Sequence, residues 1–483
     1  MITKQNVREI FDSAETTFNS CWDILANIKE NEHITHDDII SFQPNLAKEL
    51  FQIDKLYHEL SQERNYYIGR KNNLSTDWFE NRLKKISVYQ KGLKGLLSTG
   101  LMLGDSFAWI FYAKNRDHLS KHYQQGLNIH FPPGIGGIGE LEFISKIPII
   151  NNHIVIYHEL TSFLRLGDVS LINMEDFSLT AIGELKSSTE DGETVNISFT
   201  AIAGGKDKYE ILENDLNNFN KQIPLSENRQ KRKMPHKVKQ RLERQVNKIG
   251  KSLNEEIDIQ KEETVESKDL IEKVSILCKE VLKDRYSNKE IDQGLLLFGF
   301  KNQKRSLFSK FLNPVSKNYL KIMDNYADEV LSIMKKDSSH NYLFLYEPFK
   351  PDEYFLEPGM IPLFHWPLDI ELIRALIFKN INLISTYNPV NLIEKLKEKG
   401  FDINEDSNSK YGFYITKKLD NNRFAKIEGF FHLLRLIGAH FFSEDSILEM
   451  LLVFDNRNEE KFKDKDGSYA VDLYITQNFG DPP

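Results

Sequence analysis

Three residues whose types and spacing can do chemistry lie in one short stretch, GDVSLINMEDFSLTAIGELKSS from Gly167 to Ser188: Asp168, then Glu184 and Lys186. In an extended strand, side chains i and i+2 share a face. A strand through 184–186 therefore turns Glu184 and Lys186 to one side and Leu185 to the other. A hairpin-paired neighbour would deliver Asp168 to that same face. Two carboxylates converging there form a hard, oxygen-rich site suited to Mg²⁺ or Mn²⁺. Such a cation activates water and offsets charge developing on a phosphate. The ammonium of Lys186 would orient the attacking water or neutralise the transition state. These are the parts of a phosphodiester hydrolase.

Glu-x-Lys alone is a weak signal, because it recurs at Glu266-Ser267-Lys268 and Glu459-Glu460-Lys461. Both of those copies sit in polar runs with no strand aspartate before them. Only the Glu184 copy lies inside an apolar alternating segment, where a strand rarely keeps Glu and Lys together without reason. The bland alternative is a surface hairpin with an ordinary Glu and Lys. In these residues the chain resembles the PD-(D/E)XK nuclease superfamily, over about residues 134–253. The resemblance implies an αβββαβ core, Asp168 and Glu184 as metal ligands, and Lys186 as the catalytic lysine. Gly167 stands where that family usually has proline. Many members add an acidic residue from the first core helix, which points to Glu140 in GIGELEFISK, with Glu142 as the second choice. A two-residue step turns a helical side chain by about 200°, so the two cannot both face the strands.

The elements that must position these residues can be read from periodicity. From Met1 to about residue 130, apolar residues recur at three and four spacing, as in Val7, Phe11, Phe18, Trp22 and Leu25, which predicts an all-helical region. IVIYHEL, FLRLGDVSLI, FSLTAIGEL and TVNISFTAI follow as hairpin-linked strands. Over Pro235–Leu253 the apolar residues fall on one helical face. Lys237, Lys239, Arg241, Arg244 and Lys248 cover the rest, a rigid support for phosphate contacts or simply a solvated face. An acidic stretch near 254–269 reads as an exposed connection. LIEKVSILCKEVL and NLIEKLKEKG as helices, with GLLLFGF and NYLFLYE as strands, make the remainder mixed α/β. The expected fold class is α+β. It comprises a helical domain over 1–130, a nuclease-like core over 131–302, and a mixed α/β domain of unassigned role over 303–483.

Bulk properties narrow the function. A net charge of -8 excludes a protein that coats nucleic acid through overall positive charge, so any such surface must be local. Cys21 and Cys278 lie far apart in apolar helical patterns, which points to neither a disulfide nor a thiolate zinc site and fits a reducing, cytoplasmic setting. The charged start, MITKQNVREIFDSAE, lacks a secretory h-region. The apolar run Gly95–Tyr112 carries Asp105 at its centre, so it reads as a buried helix and not a membrane span. The Gly-rich turn expected at Gly134 to Gly139 formally matches GxGxxG but follows FPP and leads into hairpins, which speaks against a dinucleotide fold. His432 and His440, within FFHLLRLIGAHFF, read as core histidines, and His158 is near enough to the first strand's end to approach the site. The resulting expectation is a metal-dependent nuclease acting on DNA ahead of RNA, endonuclease ahead of exonuclease, of restriction or antiviral defence type by analogy. It would need no membrane, and would work alone, as a homo-oligomer or with a partner protein. The alternative is a nucleic-acid-binding or assembly subunit with an inactive nuclease fold.

Overall fold

The computed structural model describes residues 1–31, 33–119, 122, 135–189, 195–203, 263–266, 268–302, 306–312, 326–331, 342–349, 356–357, 359–405, 413–418, 424–452 and 475–478. The chain is mixed α+β and divides into two compact units. One comprises Met1–Ile257 with Ser306–Leu312 and Pro351–Pro362; the other comprises Asp258–Arg305, Asn313–Lys350 and Leu363–Pro483.

The first unit begins with three long helices: α1 (Lys4–Asn31), α2 (His36–Gly69) and α3 (Thr76–Tyr112). The three and four spacing seen in the sequence becomes a buried stripe on α1, formed by Val7, Phe11, Phe18, Trp22 and Leu25. Each such side chain contributes roughly 1.5–3 kcal/mol by leaving water. Thr35 starts α2 with a capping box: its hydroxyl accepts from Asp38 N–H at 3.1 Å, and the Asp38 carboxylate accepts from Thr35 N–H at 2.9 Å. The apolar half of α3 is buried, including Asp105. Among the described residues, no helix is long and apolar enough to cross a membrane.

After α4 (Ile135–Lys146) the chain builds a five-stranded antiparallel meander: β1 (Ile149–Ile150), β2 (His153–Tyr157), β3 (Val169–Asn173), β4 (Leu179–Thr189) and β5 (Val195–Ala203), in that spatial order. Each of the four strand-like sequence runs supplies one of β2 to β5. Two local expectations differ. From Ile135 onward the glycine run is helix and not a turn; the buried Gly137 and Gly139 lie within α4, where tertiary packing outweighs glycine's poor propensity. Also, β5 follows β4 directly as an antiparallel partner, with Ala181 opposite Ala203 and Thr189 opposite Val195, as hairpin-linked strands should, whereas the resemblance implies a helix before the last core strand.

Beyond the two-residue β1, the outer edge of β2 is covered by a helix side chain. Gln43 of α2 donates to Val155 O at 2.7 Å and accepts from Tyr157 N–H at 3.0 Å, so one buried amide stands in for a strand. Tyr157 in turn donates its hydroxyl to Ile147 O at 2.7 Å, tying the end of α4 to the sheet.

The second unit contains β6 (Glu263–Glu266), α5 (Lys268–Asp284), β7 (Tyr286–Asp292) and β8 (Leu295–Lys301), then β9 (Phe344–Tyr346) and β10 (Ile381–Tyr387). Its main sheet runs β7-β8-β10-β9, all antiparallel. A three-stranded sheet follows, β11 (Phe401–Glu405), β12 (Phe413–Lys418) and β13 (Phe424–Glu428). β6 pairs in parallel with β14 (Ile475–Asn478). The end of the acidic stretch is therefore not a connection: its β-branched Thr264-Val265 pair is strand, and α5 starts at Lys268. The helix expected over Pro235–Leu253, with Lys237, Lys239, Arg241, Arg244 and Lys248, lies outside the described residues.

Candidate active site

The β3–β4 register decides where Asp168 and Glu184 stand. Val169 is opposite Gly183 and Ser170 opposite Ile182, so the antiparallel ladder carried back one residue sets Asp168 across from Glu184. Asp168 lies just ahead of β3 and not within it, yet its backbone continues the pairing: its N–H donates to Gly183 O at 2.8 Å, and its carbonyl accepts from His158 N–H at 2.9 Å. Residues directly opposed on an antiparallel pair share a face. The Asp168 carboxylate also accepts from Leu185 N–H at 2.6 Å, which fixes the side chain against β4 one residue beyond Glu184. Glu184 is buried, as is Glu140 on α4, which packs against β4 and β5. Glu142, by contrast, is exposed and pairs with Lys146 one turn on. Lys186 follows Glu184 by two positions on β4, opposite Ser198 of β5.

A fourth carboxylate belongs to this cluster and was not singled out from the sequence. Glu159 sits in a short 3-10 turn, His158–Leu160, between β2 and the loop that returns to Asp168. Burial above all, then the negative charges of Asp168, Glu140 and Glu184, hold its carboxyl well above the usual carboxylate range. Asp168, Glu140 and Glu184 thus lie near enough for their charges to bear on Glu159.

The segment carrying Glu159 and Asp168 is held down by the N-terminal helices. Asp105 of α3 accepts from Ser162 N–H and from the Ser162 hydroxyl, both at 2.6 Å, and Ser162 Oγ accepts from Leu356 N–H at 2.8 Å. The charge at the centre of the apolar helix therefore anchors a loop. His122 Nδ1 accepts two backbone N–H groups, from Arg165 at 2.8 Å and Leu166 at 3.0 Å.

Both ring nitrogens of His158 are taken up by partners outside the acidic cluster. Its Nδ1 lies 3.0 Å from Gly167 O and its Nε2 lies 2.7 Å from Ser170 Oγ, while Tyr112 Oη lies 2.5 Å from the same Oγ. One consistent proton order runs Tyr112 O–H to Ser170, Ser170 O–H to Nε2, and Nδ1–H to Gly167 O, all neutral. Burial accordingly lowers the His158 pKa to about 4. The ring ties Gly167, just ahead of Asp168, to Ser170 of β3. His432 and His440 are half-buried on the helix Phe430–His440 of the second unit.

The donor chemistry suits a hard divalent cation, since the cluster offers carboxylate oxygens, Glu140 and Glu184 are buried with Glu159 and Asp168 half-buried, and the negative charges repel one another. Among the described residues, no three His, Cys, Asp or Glu side chains are drawn together closely enough to hold a metal ion as they stand. Cys21 and Cys278 are both free and buried. The signal that could have exposed Glu159 in the sequence is the His-Glu pair directly after an apolar strand, where a charge has little reason to be buried. No protein family, curated protein or solved structure was found to match this chain.

Proposed function

We propose that this protein is a metal-dependent phosphodiesterase acting on nucleic acid, with a PD-(D/E)XK-like site. The single observation that carries the reading is the opposition of Asp168 and Glu184 across β3 and β4, with Glu140 and Glu159 coupled to the same spot. Asp168 and Glu184 would hold Mg²⁺ or Mn²⁺, with Glu140 and Glu159 adding negative charge around it. When bound, such an ion supplies Lewis-acid polarisation of the phosphate and a more acidic water. The acidic cluster on its own repels a polyanion, so substrate approach requires both the cation and basic side chains. Lys186 is assigned to the developing charge on the phosphate. The segment over Lys237, Lys239, Arg241, Arg244 and Lys248 is assigned to sequence-independent phosphate contacts. DNA is the leading substrate.

The test is incubation of the protein with plasmid, linear duplex, single-stranded DNA and RNA, in Mg²⁺ or in EDTA. Cleavage should require Mg²⁺ and disappear in Asp168→Asn and Glu184→Gln. Cleavage that persists in both variants would overturn the assignment. Binding without cleavage under all conditions would favour a nucleic-acid-binding platform.

A further inference from the structure

The connection between α2 and α3 extends past the start of α1. Ile2 N–H donates to Glu63 at 2.8 Å, and Arg82 donates to Ile2 O at 2.8 Å and to Glu63 at 3.0 Å. This clasp marks the level at which α1 begins. The last turns of α2 and the first turns of α3 continue beyond it as a two-helix tip. Tyr66, Ile68 and Trp78 there remain 52%, 46% and 42% exposed.

Most of these side chains are organised. Tyr67 meets Trp78 edge-on with ring centroids 5.0 Å apart, Tyr66 meets Tyr67 at 5.5 Å, and the Arg70 guanidinium lies 4.3 Å over the Tyr66 ring. Between Arg64 and Lys94 the sequence has eight basic residues against two acidic ones, Asp77 and Glu80. All eight except Arg82 are exposed. In a chain of net charge -8 this is a local reversal of sign, which supplies charge complementarity to a polyanion.

We propose that this tip is a second binding surface, for a single-stranded stretch of nucleic acid. Arg64, Arg70, Lys71, Lys84 and Lys85 meet phosphates, while Trp78 and Tyr66 offer planes on which unpaired bases stack. Stacking planes beside cations select a strand with open bases over an acidic peptide, which needs only the charges. The choice of nucleic acid among polyanions rests on the phosphodiesterase reading; the patch itself does not. Trp78 lies 26 residues before Gly104, which abuts the turn carrying Glu159, so the tip stands about 40 Å along α3 from the carboxylate cluster at ~1.5 Å per residue. A strand reaching both would span roughly a dozen base steps of ~3.4 Å.

Trp22, Trp109 and Trp366 are buried at 3%, 2% and 2% exposure, so Trp78 is the one tryptophan open to solvent. Its fluorescence is therefore a direct reporter. Oligothymidylate titrated into the full chain in EDTA, where cleavage is blocked, should quench the emission saturably. Trp78→Phe should remove the quench, and Trp78→Ala should weaken binding about 5- to 100-fold. Lys84→Ala with Lys85→Ala should lower the slope of log affinity against log salt by about 1.4. Glu184→Gln should quench as the parent does while losing cleavage in Mg²⁺; a parent that quenches but cleaves nothing in Mg²⁺ would count against the phosphodiesterase and leave this surface standing. Unchanged affinity in both the Trp78→Ala and the double lysine variants would overturn the proposal. Equal quenching by a blunt duplex, or tighter binding to phosphatidylserine vesicles than to the oligonucleotide, would also overturn it.

Discussion

Gly104 of α3 lies so close to Leu160 that a Cβ built on it would be 1.7 Å from the Leu160 carbonyl oxygen. That oxygen belongs to the same 3-10 turn that carries Glu159, so a helix in the N-terminal region sets how deeply an acidic residue of the candidate site is buried. The neighbouring residue, Asp105, pulls on the same loop through Ser162. The helices and the sheet therefore act as one scaffold for the cluster.

Gly104→Ala is expected to force helix and turn apart, because the atom it meets is backbone and cannot rotate away. The cost should be at least about 1–3 kcal/mol, read as a lower urea midpoint. Gly69 has open space around it, so Gly69→Ala serves as the control and should leave stability within a few tenths of a kcal/mol or raise it. Equal midpoints for the Gly104→Ala protein and the parent would show that the turn is not held in this position.

Gln43 makes the second prediction. Replacing it by Leu fills the space but leaves Val155 O and Tyr157 N–H buried without their partner. Two unsatisfied backbone groups should cost about 2–5 kcal/mol, and amide exchange should accelerate at Tyr157. Retained protection at that amide would contradict the arrangement.

His158 gives a stability that depends on pH. Its pKa is about 4 in the fold against an ordinary 6.5, so between those values the unfolded chain takes up a proton that the folded chain refuses. The contribution is complete above pH 6.5, falls as pH drops toward 4, and amounts to about 3 kcal/mol over the window. Urea midpoints at pH 7.5, 6 and 5 should show this loss in the parent, and a flatter profile in His158→Gln. Parallel profiles would contradict a neutral, buried ring.

How much of this was legible in the sequence differs by element, for physical reasons. The stripe Val7, Phe11, Phe18 declares its helix because each side chain acts through local spacing. The pairing of Asp168 with Glu184 was legible because strand alternation and a hairpin are also local. Glu159 was not, because its burial is imposed from afar: Gly104 lets the turn sink onto α3, and Gln43 and Asp105 hold the segments on either side. The glycine run misled for the same reason, since burial and not local propensity makes Ile135–Gly139 helical. The tip at Trp78 depends on where α1 begins, which no periodicity within α2 or α3 records.

The last prediction separates a metal site from a merely acidic pocket. Glu159 has a folded pKa well above its ordinary value, so the folded protein resists its ionisation. Its contribution to stability is present below about pH 4.5 and is lost as pH rises through the raised pKa, opposite in sign to that of His158. Near pH 7.5 without metal, Glu159→Gln should therefore raise the melting temperature, because the amide removes a charge that Asp168, Glu140 and Glu184 oppose. A cation reverses the balance: Mg²⁺ should stabilise the parent, and the Gln variant should need about 10- to 100-fold more Mg²⁺ for the same shift. Melting curves of both proteins across a Mg²⁺ series, with Ca²⁺ as a non-catalytic comparison, read both effects at once. A Gln variant that is less stable without metal and responds to Mg²⁺ as the parent does would remove Glu159 from the site. The same pair of effects in Asp168→Asn should be muddied by the lost acceptor for Leu185 N–H, which makes Glu159 the cleaner probe.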